Sequence, residues 1–212
     1  MKYISIDIET TGLDQWEHQI LQIAMVYEDT NLELPLGKLP HIDLFIEHEN
    51  LNFQEGALKI HTSTGLLDRY FEGEKVSWSD AIGLVIGWLE ELGYEYNDDD
   101  LIEIVVAGKN YNGFDRLFLH STPEWRENIK EHRRVVDPTT MYIDWEEDDV
   151  PPSLFTCLKR ADPQHENFAD DVSHDALEDA FDVIRVLRNV QENWGYNARE
   201  PIKTFIKENG DI

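Results

Sequence analysis

The sequence is poor in cysteine and in long apolar runs. Its single cysteine, Cys157, excludes an internal disulfide and predicts a reducing compartment, the cytoplasm. No apolar run approaches the roughly 20 residues that span a bilayer. The first residues also lack a basic segment followed by an apolar one, so we expect neither a membrane partner nor a signal peptide.

Positive charge is scarce as well, because 18 Lys and Arg stand against 44 Asp and Glu, giving a formal net charge of -26. An acidic surface repels nucleic acid and forgoes the release of counterions that usually supplies affinity. Taken alone, this balance argues against a nucleic-acid-binding module. An enzyme that works through bound metal cations and grips only a few nucleotides is less constrained, because the cations reverse the local field.

What the chain does have is the composition of a folded protein, with a hydrophobic share of 41% that excludes a disordered chain. Its 212 residues are enough for one substantial core. We find no internal repeat and no linker. The sequence therefore predicts one domain over residues 1–212, with a catalytic core at about 1–190 and a C-terminal extension at 195–212.

The order of the predicted elements indicates an α/β fold. Residues 3–8, 19–27 and 42–46 are predicted to form an antiparallel meander of three strands. The apolar stretch 101–107 is typical of a strand buried on both faces, and a brief fifth strand is predicted at 133–137. The predicted helices cover 53–60, 65–71, 78–92, a segment from about 113, 139–145, 151–160, 173–193 and 201–207. Acidic loops are predicted at residues 98–100, 144–149 and 161–172.

Asp7 and Glu9 are the first chemical signal. They lie two residues apart on the predicted first strand, so their side chains project to the same face. Burying both carboxylates would cost several kcal/mol unless a cation compensates them, and a divalent metal with oxygen ligands meets that need. A strand end whose acids simply reach solvent is the alternative.

Two further acids and a histidine occur where such a fold could bring them to the first strand. Asp115 follows the buried strand, at the edge where open α/β sheets place their sites. His174 precedes Asp179 by five residues, about one and a half helical turns. This spacing puts His174 at the entry of the last long helix and Asp179 against the sheet. A surface or capping histidine is the alternative for His174.

Together, the order Asp-x-Glu, Asp and His-x4-Asp resembles the DEDDh branch of the ribonuclease H-like 3′-to-5′ exonucleases, over residues 3 to about 188. The resemblance implies a mixed five-stranded sheet, three strands antiparallel and then parallel ones, flanked by helices. It implies two divalent ions, Mg²⁺ or Mn²⁺, held by Asp7, Glu9, Asp115 and Asp179. It also implies His174 as the general base that deprotonates the attacking water.

Within this branch, the segments 7–13, 61–66, 108–119 and 132–139 are most similar to oligoribonuclease and ribonuclease T. The substrate contacts that this resemblance implies are Thr11, Gly12, Leu13, His61, Asn110, Arg134 and Thr139. Leu13 would be a wedge against the terminal bases, and Arg134 and Thr139 would hold a phosphate oxygen. Ordinary turn packing remains the alternative for Leu13 and His61.

The chain departs from the oligoribonuclease pattern by insertions around residues 30–40 and 144–172 and in three further places. Gln-Glu-Gly-Ala at 54–57 replaces the aromatic residue expected before His61, and the tyrosine that the family contributes across a dimer near Arg133 is missing. Dinucleotide preference and a homodimer therefore stay open. One extra residue also stands before the Asn of the family's Gly-Asn-x4-Asp pattern, in Gly108-Lys109-Asn110.

We therefore predict a metal-dependent 3′-to-5′ exonuclease that releases nucleoside 5′-monophosphates from single-stranded nucleic acid. RNA or short oligonucleotides are favoured, because the oligoribonuclease-like segments outnumber those of the proofreading type and an acidic surface disfavours a long strand. The alternatives are a single-stranded DNA 3′-exonuclease of the proofreading type and a non-catalytic acidic binding or regulatory protein on the same fold.

Overall fold

A long antiparallel hairpin forms the centre of the fold. The computed structural model describes residues 1–162 and 174–193. Its strands are β1 (Lys2–Thr10), β2 (Ile20–Asp29), β3 (His41–Ile46), β4 (Lys75–Val76), β5 (Ile102–Ile104), β6 (Val106–Ala107) and β7 (Ile129–Glu131). Its helices are α1 (Glu55–Ser63), α2 (Leu66–Glu72), α3 (Trp78–Glu91), α4 (Asp115–Ser121), α5 (Pro123–Asn128), α6 (Leu154–Ala161) and α7 (Ala176–Asn193).

The main sheet has five strands in the order β4-β3-β2-β1-β6. The β1–β2 and β2–β3 pairs are antiparallel, whereas β6 is parallel to β1 and β4 is parallel to β3. The predicted mixed sheet flanked by helices is thus confirmed. The parallel strands β5 and β7 form a second, two-stranded sheet.

The predicted strand at 101–107 is in fact two strands that belong to different sheets. The chain crosses between the sheets at Val105, whose carbonyl oxygen accepts from the N–H of Ile4 at 2.8 Å. One residue earlier, the carbonyl oxygen of Ile104 accepts from the N–H of His132 at 2.7 Å. Because the stretch is apolar and largely buried except at Glu103, its hydrophobic pattern carries no sign of this change of partner.

The predicted fifth strand at 133–137 is wrong in its extent. It shrinks to a single parallel bridge between Val136 and Ala107, and the regular strand of this region is β7, a few residues earlier. The predicted helix at 139–145 shortens to a 3-10 turn over Pro138–Met141. Most of the predicted acidic loop at 161–172, the predicted helix at 201–207 and the C-terminal extension lie outside the described residues.

Strand β1 separates two layers of core, because its side chains alternate between its faces. Ile4, Ile6 and Ile8 pack in the cluster that includes residues of α3, α4 and α5. Tyr3, on the opposite face, packs with residues of α6 and α7. Asp7 and Glu9 follow Tyr3 on that face, so the alternation directs both carboxylates toward the side of the sheet that α7 covers. In the described parts of the chain, no helix combines the length and apolarity that crossing a bilayer requires.

A buried carboxylate, Glu131, ties together the elements around the start of α4. Its Oε1 accepts from the hydroxyl of Tyr111 and from Nε1 of Trp125, each at 2.8 Å. Its Oε2 lies 3.0 Å from Nε of Arg116, and Nε2 of His120 lies 3.2 Å from Oε1. The Glu131 side chain is fully buried, so the two hydrogen bonds to Oε1 and the nearby basic side chains compensate part of its lost hydration.

We expect Glu131→Ala to lower the free energy of unfolding by about 3–5 kcal/mol, because it strands a buried hydroxyl, a buried indole N–H and a partly buried guanidinium. Urea denaturation followed by circular dichroism measures this change. Glu103→Ala is the control, since Glu103 lies on the neighbouring strand and its exposed pair with Lys130 spans 3.6 Å. We expect that control to change stability by under about 1 kcal/mol. Equal effects of the two substitutions would contradict the structural role of Glu131.

Candidate active site

Three carboxylates meet at the end of β1. One oxygen of each of Asp7, Glu9 and Asp179 lies within 4.8 Å of the others. Asp7 and Glu9 share a face of β1, and Asp179 comes from the first turn of α7, which packs on that face. A register shift follows directly after Glu9, where β1 and β2 cease to pair regularly. The predicted convergence of the first strand and the last long helix is therefore present.

Asp115 joins this cluster through the backbone of β1. Strand β6 ends at Ala107, and beyond it the N–H of Ile8 donates to Oδ1 of Asp115 at 3.2 Å. Gly108 lets the chain pass close to β1, because a Cβ there would lie 2.9 Å from the carbonyl oxygen of Ile6. The Asp115 carboxylate thus accepts the β1 hydrogen bond that a longer β6 would accept. This bond holds Asp115, the fourth acid, beside the other three.

Burial and mutual repulsion disfavour the charged forms of these acids. Burial, followed by the charges of Asp115, Asp179 and Glu9, raises the pKa of Asp7 well above its usual range. Burial first, and then Asp179, raises the pKa of Glu9 to about 8. Burial raises the pKa of Asp115 to about 7 despite its backbone hydrogen bonds. Such a set of oxygen donors fits a divalent cation, which would compensate the repulsion and keep the carboxylates ionised.

Two histidines line the same cleft. His174 is in the left-handed backbone region, with φ of 43°, directly before α7. His61 is buried, and its Nε2–H donates to the carbonyl oxygen of Thr10 at 2.8 Å. Its Nδ1 lies 3.7 Å from Oε2 of Glu9, and burial lowers the pKa of its imidazole. His61 thus holds the end of β1 through its hydrogen bond to Thr10, while His174 borders the carboxylates.

The loop after β1 is held in a fixed shape and presents Leu13. The backbone N–H of Leu13 donates to Oε1 of Gln54 at 3.2 Å, and the N–H of Gln54 donates to the carbonyl oxygen of Thr11 at 2.8 Å. A Cβ on Gly12 would collide with the imidazole of His18, so a larger residue there would require the His18 side chain to move. The Leu13 side chain is 70% exposed, which excludes ordinary turn packing as its role.

The carboxylates form the floor of a cleft of about 510 Å³. The predicted site residues that line it are Asp7, Glu9, Asp115, Asp179, His174, Gly12, Leu13, His61 and Asn110. Three predicted substrate contacts, Thr11, Arg134 and Thr139, are not among its lining residues. Thr11 is buried beneath the loop, and the hydroxyl of Thr139 donates to Oδ1 of Asp137 at 2.6 Å. Their roles toward a substrate stay predictions.

Other lining residues did not emerge from the sequence: Lys109, Gln54, Ile60, Phe114, Ser153 and Leu154. Lys109 had a signal, since it lies where the chain carries one residue more than the oligoribonuclease pattern. The apolar lining residues Ile60, Phe114 and Leu154 had no such signal, because an isolated apolar residue in the sequence looks like any core residue.

Comparison with known proteins places the chain in a family. An oligoribonuclease of Photobacterium profundum is 30% identical over 193 residues, which cover 90% of this chain and 93% of that protein. An oligoribonuclease of Vibrio vulnificus is 33% identical over 140 residues, which cover 65% and 71%. The chain belongs to the oligoribonuclease family. This confirms the predicted family and its class of activity, that of a 3′-to-5′ exonuclease. No protein-family model matches the chain.

Two solved structures share the fold of this oligoribonuclease family member. The S. pombe Pop2p structure, a Mg²⁺- and Mn²⁺-bound form, has a TM-score of 0.61 at 13% identity and covers 91% of this chain and 83% of that one. E. coli exonuclease I in complex with a dA16 oligonucleotide has a TM-score of 0.58 at 16% identity, covering 90% and 41%. At these identities the likeness concerns the fold, and it confirms the ribonuclease H-like architecture.

The raised pKa of Glu9 predicts that the metal-free protein loses stability toward unfolding as the pH rises. The pKa of Glu9 is about 8 in the folded chain and about 4.3 in the unfolded chain, so folding favours its protonated form. That contribution to stability is complete below about pH 4 and is lost as the pH rises through 8. With EDTA present, we expect the melting temperature of Glu9→Gln, relative to that of the natural protein, to rise between about pH 5 and 9.

The expected gain is at least about 2–4 °C, which corresponds to roughly 1 kcal/mol for a domain of this size. Differential scanning fluorimetry across the pH range measures it. Glu55→Gln is the control, because its carboxylate is 80% exposed and lies outside the cleft. A Glu9→Gln profile parallel to that of the natural protein would refute the raised pKa.

Proposed function

We propose that this member of the oligoribonuclease family hydrolyses the last phosphodiester bond at the 3′ end of short single-stranded oligonucleotides, with RNA favoured, and releases nucleoside 5′-monophosphates. The observation that carries the proposal is the meeting of Asp7, Glu9 and Asp179 in one cleft with Asp115 and His174. The name of the relatives supports the choice of short RNA as substrate.

Two divalent ions, Mg²⁺ or Mn²⁺, are the proposed cofactors, held by Asp7, Glu9, Asp115 and Asp179. The buried oxygen donors and their raised pKa values support this assignment. When bound, such ions lower the pKa of water and stabilise the charge that develops on the leaving 3′ oxygen. The chain's contribution is to keep the four carboxylates close together and to withhold solvent from them.

His174 is the proposed general base. Its backbone lies at the entry of α7, five residues before Asp179, so the imidazole and the carboxylate border the same cleft. An imidazole titrates near neutral pH, which suits it to take a proton from the attacking water and return it to solvent. His61, by contrast, is buried and hydrogen-bonded to the strand end, so its role is to hold β1 rather than to move a proton.

The walls of the cleft suit nucleobases without reading their sequence. Leu13, Ile60, Phe114 and Leu154 supply apolar surface around the acidic floor. Such surfaces bind the faces of bases largely irrespective of their identity. The volume of about 510 Å³ lies in the range of about 300–1,000 Å³ typical of small-ligand pockets, so the cleft admits an end rather than a long strand. Localisation in the cytoplasm stays a prediction from the lone Cys157.

Incubating 5′-labelled RNA and DNA of graded length with Mg²⁺ or Mn²⁺ tests the proposal. We expect shortening from the 3′ end, release of 5′-monophosphates, faster turnover of RNA than of DNA, and complete arrest by EDTA. Preferential turnover of DNA would favour the proofreading type instead. No shortening of any substrate with either metal would refute the enzyme and leave the binding protein.

Asp7→Ala should lower kcat by at least about 10³-fold, because it removes a ligand from the centre of the cluster, and His174→Ala by about 10²–10⁴-fold. Steady-state rates on one short RNA measure both effects. Asp149→Ala, in an exposed acidic segment, is the control and should leave the rate unchanged. Full activity of Asp7→Ala would contradict the site.

A further inference from the structure

Lys109 is distinctive in the cleft because of its charge. Among the described residues that line the cleft it is the one lysine or arginine. Its ammonium has no acidic partner within the 4.0 Å of an ion pair, as far as the described part of the chain shows. In a chain with 44 acids and 18 basic residues, an unpaired cation beside four carboxylates calls for a ligand.

The backbone on both sides of Lys109 is fixed. The N–H of Gly108 donates to the carbonyl oxygen of Val136 at 3.1 Å, and the N–H of Asn110 donates to Oδ2 of Asp137 at 2.9 Å. Asn110 has a left-handed backbone, with φ of 54°, which turns the chain sharply after Lys109. The exposed lysine side chain therefore extends from a rigid support at the rim of the cleft.

The charge of Lys109 reaches the reactive end of the cleft, because it lowers the pKa of both Asp7 and Asp115. Four carboxylates and two divalent ions would balance each other in charge. The charge of Lys109 would then be left over, equal and opposite to that of one phosphodiester. A lysine placed only to neutralise the acids would instead oppose the binding of the ions.

We propose that the ammonium of Lys109 binds a non-bridging oxygen of the scissile phosphate. This inference rests on the proposed function and adds to it a contact for the substrate's phosphate. Lysine serves as a point charge for phosphate without the fixed geometry of arginine. The contact also explains the extra residue before Asn110, because Lys109 places a cation in the cleft. Arg134, the cation predicted to hold a phosphate oxygen, does not line the cleft.

Calorimetric titration of the inactive His174→Ala variant with the dinucleotides ApA and pApA, in Mn²⁺, tests the proposal without turnover. Adding Lys109→Gln should raise the Kd about tenfold for both ligands, because the scissile phosphate is common to them. The affinity should also depend less steeply on salt concentration, because one charged contact that salt screens is lost. Lys109→Arg should restore most of the affinity. Lys130→Gln, on β7 and outside the cleft, is the matched control and should leave the Kd unchanged.

Two results would overturn the proposal. An effect confined to pApA would place Lys109 at the 5′ phosphate. Unchanged dinucleotide binding with tighter Mn²⁺ binding would make Lys109 a mere counter-charge. Failure of the proposed function looks different, because the natural protein would then cleave neither dinucleotide. If the natural protein cleaves normally and Lys109→Gln has no effect, the proposed contact of Lys109 is refuted and the proposed function stands.

Discussion

Repulsion among buried carboxylates is the constraint on which the site depends. Four acids are brought together at one end of β1, where burial reduces their hydration and each raises the cost of ionising the next. Such a cluster destabilises a folded chain unless a cation joins it. The rest of the strand makes the arrangement possible, since Ile4, Ile6 and Ile8 anchor the opposite face in the core.

Each acid is positioned by a different device. The pleat of β1 aligns Asp7 with Glu9, and the packing of α7 on the same face delivers Asp179. Asp115 is held by an N–H of β1 that a short neighbouring strand leaves free. Behind Asp115, Glu131 accepts hydrogen bonds from Tyr111 and Trp125 and pairs with Arg116 of α4, which ties the start of α4 to the small second sheet. The cluster therefore has support from both layers of the core, which keeps its members from moving apart to relieve their repulsion.

The sequence was most informative where chemistry and local geometry coincide. Asp7 and Glu9 stand out because two acids rarely share a buried strand, and the spacing of His174 and Asp179 follows from helical geometry. The alternation of strands and helices was enough to predict the mixed sheet. The C-terminal extension lies outside the described residues and stays a prediction. The single-domain organisation also stays a prediction.

What escaped prediction depends on tertiary contacts. The exchange of partners at Val105 leaves no trace in a stretch that is apolar on both sides of it. The hydrogen bond from the hydroxyl of Thr139 to Asp137 was not predicted, and the role of Thr139 toward a phosphate stays a prediction. Lys109 showed only as an extra residue, and its place in the cleft depends on how Gly108 and Asn110 are held.

The central claim is that the carboxylates of β1, α4 and α7 form a divalent-cation site. Calorimetric titration of the metal-free protein with Mn²⁺ near pH 7, in two buffers of different ionisation enthalpy, tests it most directly. Because burial raises the pKa of Glu9 to about 8 and that of Asp115 to about 7, binding should expel about one or more protons per chain. This release should shrink in Glu9→Gln. Absence of Mn²⁺ binding, or binding without proton release, would contradict the account.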